Sequence, residues 1–347
     1  MPDHLLVRGA RQLVTLRGSS GPRRGSALRE LSIVADGAVL ISDGVIMDVG
    51  ATRRVENLAA ARQAREIDAS GRVVLPGLVD CCAHLVAGPL RLEHEARRVL
   101  AAMVRHGTTT VEARDGELKP LRVATRLNGS PLDVVRTFLA TRFEEDPLSK
   151  VHRRKLAEFV DVSCGDGAFL HLEQARRLGF ELRVRGSAAL AVESGAVSVS
   201  GIDGAPPAEV ERLAHSNTIA VLTPGTAFHG GGPRSPARAW LDQGVALAIA
   251  TGYHPAQCPS PSLPMAVALA CAELRLTPAE AIAAATINAA HALGCAARRG
   301  SLEYFKDGDL ILLNAGDYRE LPLRFGCNLV HMTVKRGAII YREGTVA

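Results

Sequence analysis

The stretch that decides the fold is Gly71-Arg72-Val73-Val74-Leu75-Pro76-Gly77-Leu78-Val79-Asp80-Cys81-Cys82-Ala83-His84-Leu85. Two short apolar runs, the first rich in β-branched residues, lie on either side of a Pro-Gly pair, and this pattern predicts two buried strands. The second run ends in an acid followed by a Cys-x-His pair. Because side chains at alternate strand positions face the same side, Cys82 and His84 should point together into one site.

After Pro76, segments with helical periodicity alternate with strand-like segments. Strands are predicted at 108–113, 133–141, 160–163, 181–185, 196–200, 219–223 and 246–250, and helices are predicted between and after them. Thr277-Pro278-Ala279-Glu280 adds a capping box with proline at the first helical position. This alternation is typical of parallel βα units, and their number favours an α/β fold built on a TIM-type (β/α)8 barrel.

The two ends of the chain have a different pattern. Short strands are predicted at 5–7, 12–16, 37–41, 45–49, 309–313 and 334–341, and Ser42-Asp43-Gly44 marks a hairpin turn. We therefore expect residues 1–75 and 301–347 to form one small composite β-sandwich domain from both termini. Residues 76–300 would then be a barrel inserted between its halves.

Composition excludes several classes of protein. The net charge of +5 over 347 residues is mild, and no run of basic residues is interleaved with aromatic ones, so we expect no nucleic-acid partner. No apolar run approaches the ~20 residues of a membrane span. Seven scattered cysteines without a CxxC pair, and an N-terminus without the pattern of a secretion signal, favour reduced thiols and a cytoplasmic location.

Longer stretches of the sequence resemble one family nearly end to end. They are His106–Ala113, Phe159–Val162, Gly167–Phe169, Leu222–Phe228, Met265–Cys271, Thr277–Ala292 and Asp317–Leu329. These stretches are similar to imidazolonepropionase, of the amidohydrolase superfamily. The resemblance implies a metal-activated hydroxide that opens the cyclic amide of 4-imidazolone-5-propanoate in histidine degradation. It also implies a homodimeric scaffold, which this chain would carry with a distorted barrel and shortened loops after His84 and Arg142.

The resemblance fails where the family keeps its chemistry. Positions that hold metal ligands or the catalytic acid in the family carry Cys82, Arg185, Ala188, Gly201 and Gly252 here. His84 alone is retained among the inherited metal ligands. The resemblance therefore implies the scaffold of the family without its reaction, and it identifies no catalytic residue.

Two interpretations of His84 remain open. His84 and Cys82 are candidate metal ligands, and His229 and His254 would complete a rewired site for zinc or iron, since thiolate and imidazole both bind zinc. Otherwise His84 is a packed barrel histidine, the other two are loop residues, and we expect no cofactor.

Arginines suggest a different use of the same place. Arg114, Arg142 and Arg185 lie at the predicted carboxyl ends of strands, which meet at one mouth of a barrel. A buried guanidinium keeps its charge and needs a partner. The candidate partners are Glu112, Asp115, Asp166 and Asp203. We expect either a mouth closed by such pairs or a site for a small anionic ligand, with Arg185 in place of the charge of the metal.

Two function classes follow. The first is a catalytically degenerate pseudoenzyme that acts as a ligand-binding protein or as a partner subunit, in a homodimer or in a heterodimer with an active family member. The second is an active hydrolase of a cyclic amide with the rewired metal site. Metal content and ring opening of an imidazolone discriminate between them.

Overall fold

The computed structural model describes residues 3–85, 92–140 and 147–344. Their strands are β1 (His4–Val14), β2 (Ile33–Ser42), β3 (Val45–Ala51), β4 (Arg65–Asp68), β5 (Val73–Pro76), β6 (Leu78–Asp80), β7 (Thr108–Asp115), β8 (Asp133–Ala140), β9 (Phe159–Ser163), β10 (Glu181–Arg185), β11 (Ser198–Ser200), β12 (Ile219–Leu222), β13 (Leu247–Ile249), β14 (Leu310–Leu313), β15 (Val330–Lys335) and β16 (Ala338–Arg342).

The α-helices are α1 (Thr52–Val55), α2 (Leu92–Arg105), α3 (Leu118–Leu127), α4 (Pro147–Arg153), α5 (Ala168–Arg177), α6 (Ala188–Glu193), α7 (Pro207–Ala214), α8 (Pro224–Gly230), α9 (Ala237–Asp242), α10 (Leu263–Leu274), α11 (Pro278–Ala284), α12 (Ile287–Ala292) and α13 (Glu320–Leu323). Short 3₁₀ turns lie at Gly25–Arg29 and Ala61–Gln63. Within the described ranges, no helix has the length and apolar character needed to cross a membrane.

Strands β6 to β13 form a parallel sheet in sequence order, with helices between successive strands. This is the nearly closed (β/α)8 barrel that the alternation predicted. The capping box is also confirmed, because the Thr277 side chain and Glu280 satisfy each other's backbone N–H groups at the start of α11. Two helices, α8 and α9, lie between β12 and β13.

The second sheet combines both ends of the chain. Its order is β16-β15-β14-β5-β1-β2-β3, with β4 also paired to β1. Strands that the sequence separated at 5–7 and 12–16 are one continuous strand, bent by a register shift near Gly9. The predicted hairpin joins β2 and β3, with Asp43 and Gly44 both at positive φ.

A buried ionic cluster joins the barrel to this sheet at the amino-terminal end of the barrel strands. Asp133, which begins β8, contacts Lys335 Nζ of β15 at 2.5 Å and Arg299 Nη2 at 2.6 Å. Lys335 also contacts Asp309 at 2.5 Å, while Asp307 pairs with Arg299 at 3.2 Å. These charges are mutually paired, so they position the two sheets relative to each other.

The barrel closes through side chains and strand extensions, because β13 and β6 share no strand ladder in the part of the chain that the structure describes. The Asp80 carboxylate accepts hydrogen bonds from Thr251 N at 3.0 Å and from Thr251 Oγ1 at 2.5 Å. Just beyond, Gly252 N donates to the Cys82 carbonyl at 3.1 Å. Asp80 is therefore the main link across this seam, and its complete burial raises its pKa to about 6 despite those hydrogen bonds.

Gly77, the residue between β5 and β6, tests the packing where the chain passes from one sheet to the other. A Cβ atom at this position would lie 2.3 Å from Oγ1 and 2.4 Å from Cγ2 of buried Thr109. Gly77→Ala should therefore destabilise the protein by about 1–3 kcal/mol in denaturant unfolding, because the core is overpacked. Gly21→Ala is the control, since a Cβ there meets nothing within 4 Å. Equal stability of the two variants would contradict this packing.

Asp80 makes the seam sensitive to pH. Its folded pKa of about 6 lies above the reference value of 3.8, so the buried charge costs stability above pH 6, and this cost disappears as the pH falls toward 4. The roughly two-unit shift corresponds to at most about 3 kcal/mol. Asp80→Asn retains an acceptor for Thr251 N without the charge. We expect it to be more stable than the wild type at neutral pH and to lose that advantage in acid.

The measurement is the free energy of unfolding of both proteins between about pH 7.5 and pH 4. Asp166→Asn, at an exposed carboxylate, is the matched control and should show no such convergence. A stability difference between Asp80→Asn and the wild type that stays constant over this range would show that charge burial at the seam is unimportant.

Candidate functional site

The interior of the barrel near its mouth is built from charged residues at alternate positions of neighbouring strands. Glu112 and Arg114 lie two residues apart on β7, and Arg183 and Arg185 lie two residues apart on β10. Asp161 is on β9, between them. Because alternate side chains of a strand share one face, each pair points into the barrel interior at two successive levels.

These five residues form a continuous chain of ion pairs, which we call the ionic column. Arg183 pairs with Glu112 Oε1 at the inner end. Arg114 bridges Glu112 Oε2 at 3.1 Å and Asp161 Oδ2 at 3.0 Å. Arg185 completes the column at the mouth, where its Nη2 lies 3.3 Å from the same Asp161 oxygen. Cations and carboxylates therefore alternate from the core outward.

Arg183 is buried and fully hydrogen-bonded. Its Nε donates to Ser198 Oγ at 3.0 Å and its Nη2 donates to the Ala292 carbonyl at 2.9 Å, while the Cys81 carbonyl lies 3.4 Å from Nη2. Burial lowers its pKa, but a guanidinium stays charged at any physiological pH. The many acceptors compensate its desolvation, so Arg183 is a structural cation at the base of the column.

Pairing becomes weaker toward the mouth. Side-chain exposure rises from 1% for Arg183 and 4% for Arg114 to 35% for Arg185. Asp161 serves both Arg114 and Arg185 through Oδ2, and its buried Oδ1 accepts no hydrogen bond from the described residues. Arg185 is therefore the least neutralised cation of the column.

The candidate metal ligands only partly converge. His84 and His254 have ring centroids 5.2 Å apart, and Cys82 lies two residues before His84. His229 is exposed on α8. Across residues 3–85, 92–140 and 147–344, no three of these four side chains bring their donor atoms within 4.8 Å of one another. The structure therefore does not bring the rewired ligand set together.

Charge also opposes a metal at this place. Burial, followed by Arg114, His254 and Arg185, lowers the pKa of His84 to about 3, so its imidazole is neutral at physiological pH. Neutral imidazole is a good ligand, but the cations that depress this pKa would equally repel a metal ion. The set of described donors does not fit a divalent metal in the mouth.

Three carboxylates do converge elsewhere in the described chain. They are Asp133, Asp307 and Asp309, the acidic members of the cluster at the other end of the barrel. Four cations already neutralise them, namely Lys335, Arg298, Arg299 and Arg336. This group needs no ion.

The position at which the resemblance implies a ligating Asp is closed by packing. Gly252 has a φ of +64°, and a Cβ atom there would lie 2.3 Å from Thr226 Oγ1 and 2.8 Å from Thr223 Cβ. A longer side chain would meet both the backbone strain and the two threonines. Ala188, at the position of the family's catalytic Glu, is buried at the start of α6 and has no polar group.

The structure also tests the expected arginine partners. Arg114 does pair with Glu112, whereas Asp203 accepts a hydrogen bond from Ser235 and Asp115 caps the backbone N–H of Glu117. Arg142 lies outside the described residues. Asp161 and Arg183 were missed, although both lie at charged interior positions of predicted strands. The sequence did contain a signal for Arg183, because this residue lies two positions before Arg185 on the same predicted strand.

Comparison with known proteins agrees with this architecture. The sequence profile of the Amidohydrolase family matches residues 171–340. Imidazolonepropionase of Geobacillus thermodenitrificans (strain NG80-2) is 36% identical over 420 aligned positions, covering 99% of both chains. The imidazolonepropionase of Brevibacillus brevis is 36% identical over 428 positions, covering 100% of both.

Solved structures show the same fold at low sequence identity. An adenosine deaminase from Xanthomonas campestris with bound zinc has a TM-score of 0.77 at 18% identity, covering 97% of this chain and 92% of that one. A mutant atrazine chlorohydrolase from Arthrobacter aurescens TC1, complexed with zinc and atraton, has a TM-score of 0.79 at 17% identity, covering 97% and 95%.

The alignment with the Geobacillus protein also shows that this chain is shorter than that relative. It has 420 positions, of which the 347 residues of this chain fill at most 347, so at least 73 positions of the relative have no counterpart here. The identity nevertheless extends over both chains almost completely. By that identity and by its fold, the chain belongs to the imidazolonepropionase family of amidohydrolases.

Proposed function

We propose that this chain is a metal-free, catalytically degenerate member of the imidazolonepropionase family. The observation that carries the proposal is the ionic column, which ends at Arg185, the position where the family has a metal-ligating histidine. The interior charge of this barrel is supplied by fixed guanidinium groups that side-chain carboxylates neutralise. The resulting protein would keep the scaffold and act as a ligand-binding protein or as a partner subunit.

Metal-dependent hydrolysis needs a cation that lowers the pKa of water from 15.7 to about 7, together with a carboxylate that moves protons. Neither requirement is met by the residues at the inherited positions. Ala188 has no proton to transfer, and Gly252 has no room for a carboxylate. A guanidinium cannot replace the metal in this role. It does not coordinate water as a metal does, and it stays protonated near neutral pH.

The repulsion between a metal ion in the mouth and a neighbouring guanidinium has a calculable magnitude. At about 5 Å and an effective dielectric constant of about 20, a divalent ion and one guanidinium repel each other by roughly 7 kcal/mol. Arg114 and Arg185 both act on the imidazole of His84. An ion bound beside this ring would need ligand energy to offset that repulsion, and Cys82 and His84 alone are fewer than the three protein ligands of a catalytic zinc site.

The competing proposal is an active hydrolase with a rewired metal site. It requires Cys82, His84, His229 and His254 to converge, and exposed His229 would have to move from α8 to join them. The geometry favours the degenerate protein. Metal binding and turnover separate the two.

Protein purified without chelator should contain far less than one zinc or iron per chain by elemental analysis. Turnover of 4-imidazolone-5-propanoate should be below about one-thousandth of that of an active relative, since acid–base catalysis alone supplies 10²–10⁴-fold. The Geobacillus thermodenitrificans protein, prepared in parallel, is the control. Stoichiometric zinc that is lost in both Cys82→Ser and His84→Ala would overturn the proposal.

A partner role is supported by apolar exposure in a segment that resembles the family. Leu323 at the end of α13 and the following Phe325 are 76% and 68% exposed. Both lie within Asp317–Leu329, and α13 packs on the largely buried helix α10. Large apolar side chains displayed on a rigid element are typical of an interface. We propose that this surface pairs with a second copy or with an active family member.

Light scattering should then give twice the chain mass of 36.7 kDa, or the summed mass of the two different chains when the active relative is added. The double variant Leu323→Asp and Phe325→Asp should be monomeric at micromolar concentration, because each Asp would bury a charge in the interface. Phe305→Asp, at a residue 71% exposed in a turn beside β3, is the matched control. A monomeric wild type in both experiments excludes the pairing proposal.

A further inference from the structure

Arg185 has hydrogen-bonding capacity that the described protein does not use. A guanidinium has five N–H donors, and Arg183 directs its own toward Glu112, Ser198 and two backbone carbonyls. Within the described ranges, Arg185 has one side-chain contact, at 3.3 Å to an Asp161 oxygen that it shares with Arg114. The Arg185 side chain is 35% exposed.

The charges in the ionic column do not balance. Arg183, Arg114 and Arg185 contribute three cations, whereas Glu112 and Asp161 contribute two anions. Asp80 acts electrostatically on Arg114, but it is hydrogen-bonded to Thr251 and makes no ion pair with an arginine of the column among the described residues. The five residues of the column therefore include one more cation than anions, and the least paired cation is Arg185 at the outer end.

Two glycines border the Arg185 side chain. Gly186 and Gly201 both have positive φ, and a Cβ atom at position 201 would lie 3.4 Å from Arg185 Cγ. Because residue 201 is glycine, no side chain from that position contacts the stem of Arg185. His84 directly follows Ala83, whose carbonyl accepts a hydrogen bond from Arg114 N at 3.0 Å, and the rings of His84 and His254 lie 5.2 Å apart.

We propose that Arg185 binds a small monocarboxylate at the mouth of the barrel, with His84 beside the bound anion. A carboxylate matches the planar fork of a guanidinium and supplies the single missing charge. This inference rests on the proposed absence of a metal, since a metal at His84 would exclude Arg185 from this role. The anion would take a place next to the former metal position.

The test is NMR titration of the protein with acetate near neutral pH at constant ionic strength, observing the histidine ring resonances. Acetate should bind saturably, and the His84 ring resonances should move because a charged group is placed beside the ring. The same titration with sulfate should be weaker, since a dianion overcompensates a deficit of one charge.

Arg185→Gln should weaken acetate binding at least tenfold. Arg185→Lys, which retains the charge but loses the planar fork, should give an intermediate affinity. Arg212→Gln, at an exposed arginine paired with Glu193 away from the mouth, is the matched control and should bind like the wild type. Thermal melting of each variant verifies that it is folded.

Two results would overturn the inference: acetate binding that is unchanged in Arg185→Gln, or a linear response that never saturates. Tighter binding of sulfate would overturn the monocarboxylate class. Failure of the anion-site inference can be distinguished from failure of the proposed function. Metal-free, inactive protein that ignores acetate refutes only the anion site, whereas stoichiometric zinc refutes both.

Discussion

An arginine inside a protein keeps its charge, and the interior of this barrel is organised around that constraint. Arg183 is almost fully inaccessible, yet it lies at the level where barrel interiors normally hold branched apolar side chains. It is stable there because Glu112 accepts from it and from Arg114, which then requires Asp161. Each buried charge needs a partner of opposite sign, and the alternating series ends at the partly exposed Arg185.

This arrangement fills the barrel of a chain that is 36% identical to an imidazolonepropionase over nearly its whole length. The strands, the capping box at Thr277 and the composite sheet all serve packing, which tolerates the changes at the mouth. A metal centre and an arginine network both place positive charge at the carboxyl ends of the strands. Only the metal can polarise a water molecule, so the two solutions share an electrostatic sign but not a chemistry.

Much of the fold was predictable because it depends on local signals. The alternation of periods predicted the barrel strands, Ser42-Asp43-Gly44 predicted the hairpin, and the proximity of Arg114 to Glu112 followed from two positions on one strand. The rest depends on contacts between distant segments. Asp161 became a partner of Arg114 and Arg185 only when three strands were placed side by side, and Asp80 meets Thr251 across 171 residues of sequence.

The glycine at position 252 has an evolutionary consequence. A single codon change to Asp would not restore a ligand, because the new side chain would require a left-handed backbone and the space already occupied by Thr223 and Thr226. At least one of those threonines would have to become smaller first, and Arg185 would still have to be replaced by a histidine. The present packing therefore admits a carboxylate at position 252 only together with changes in its two threonine neighbours.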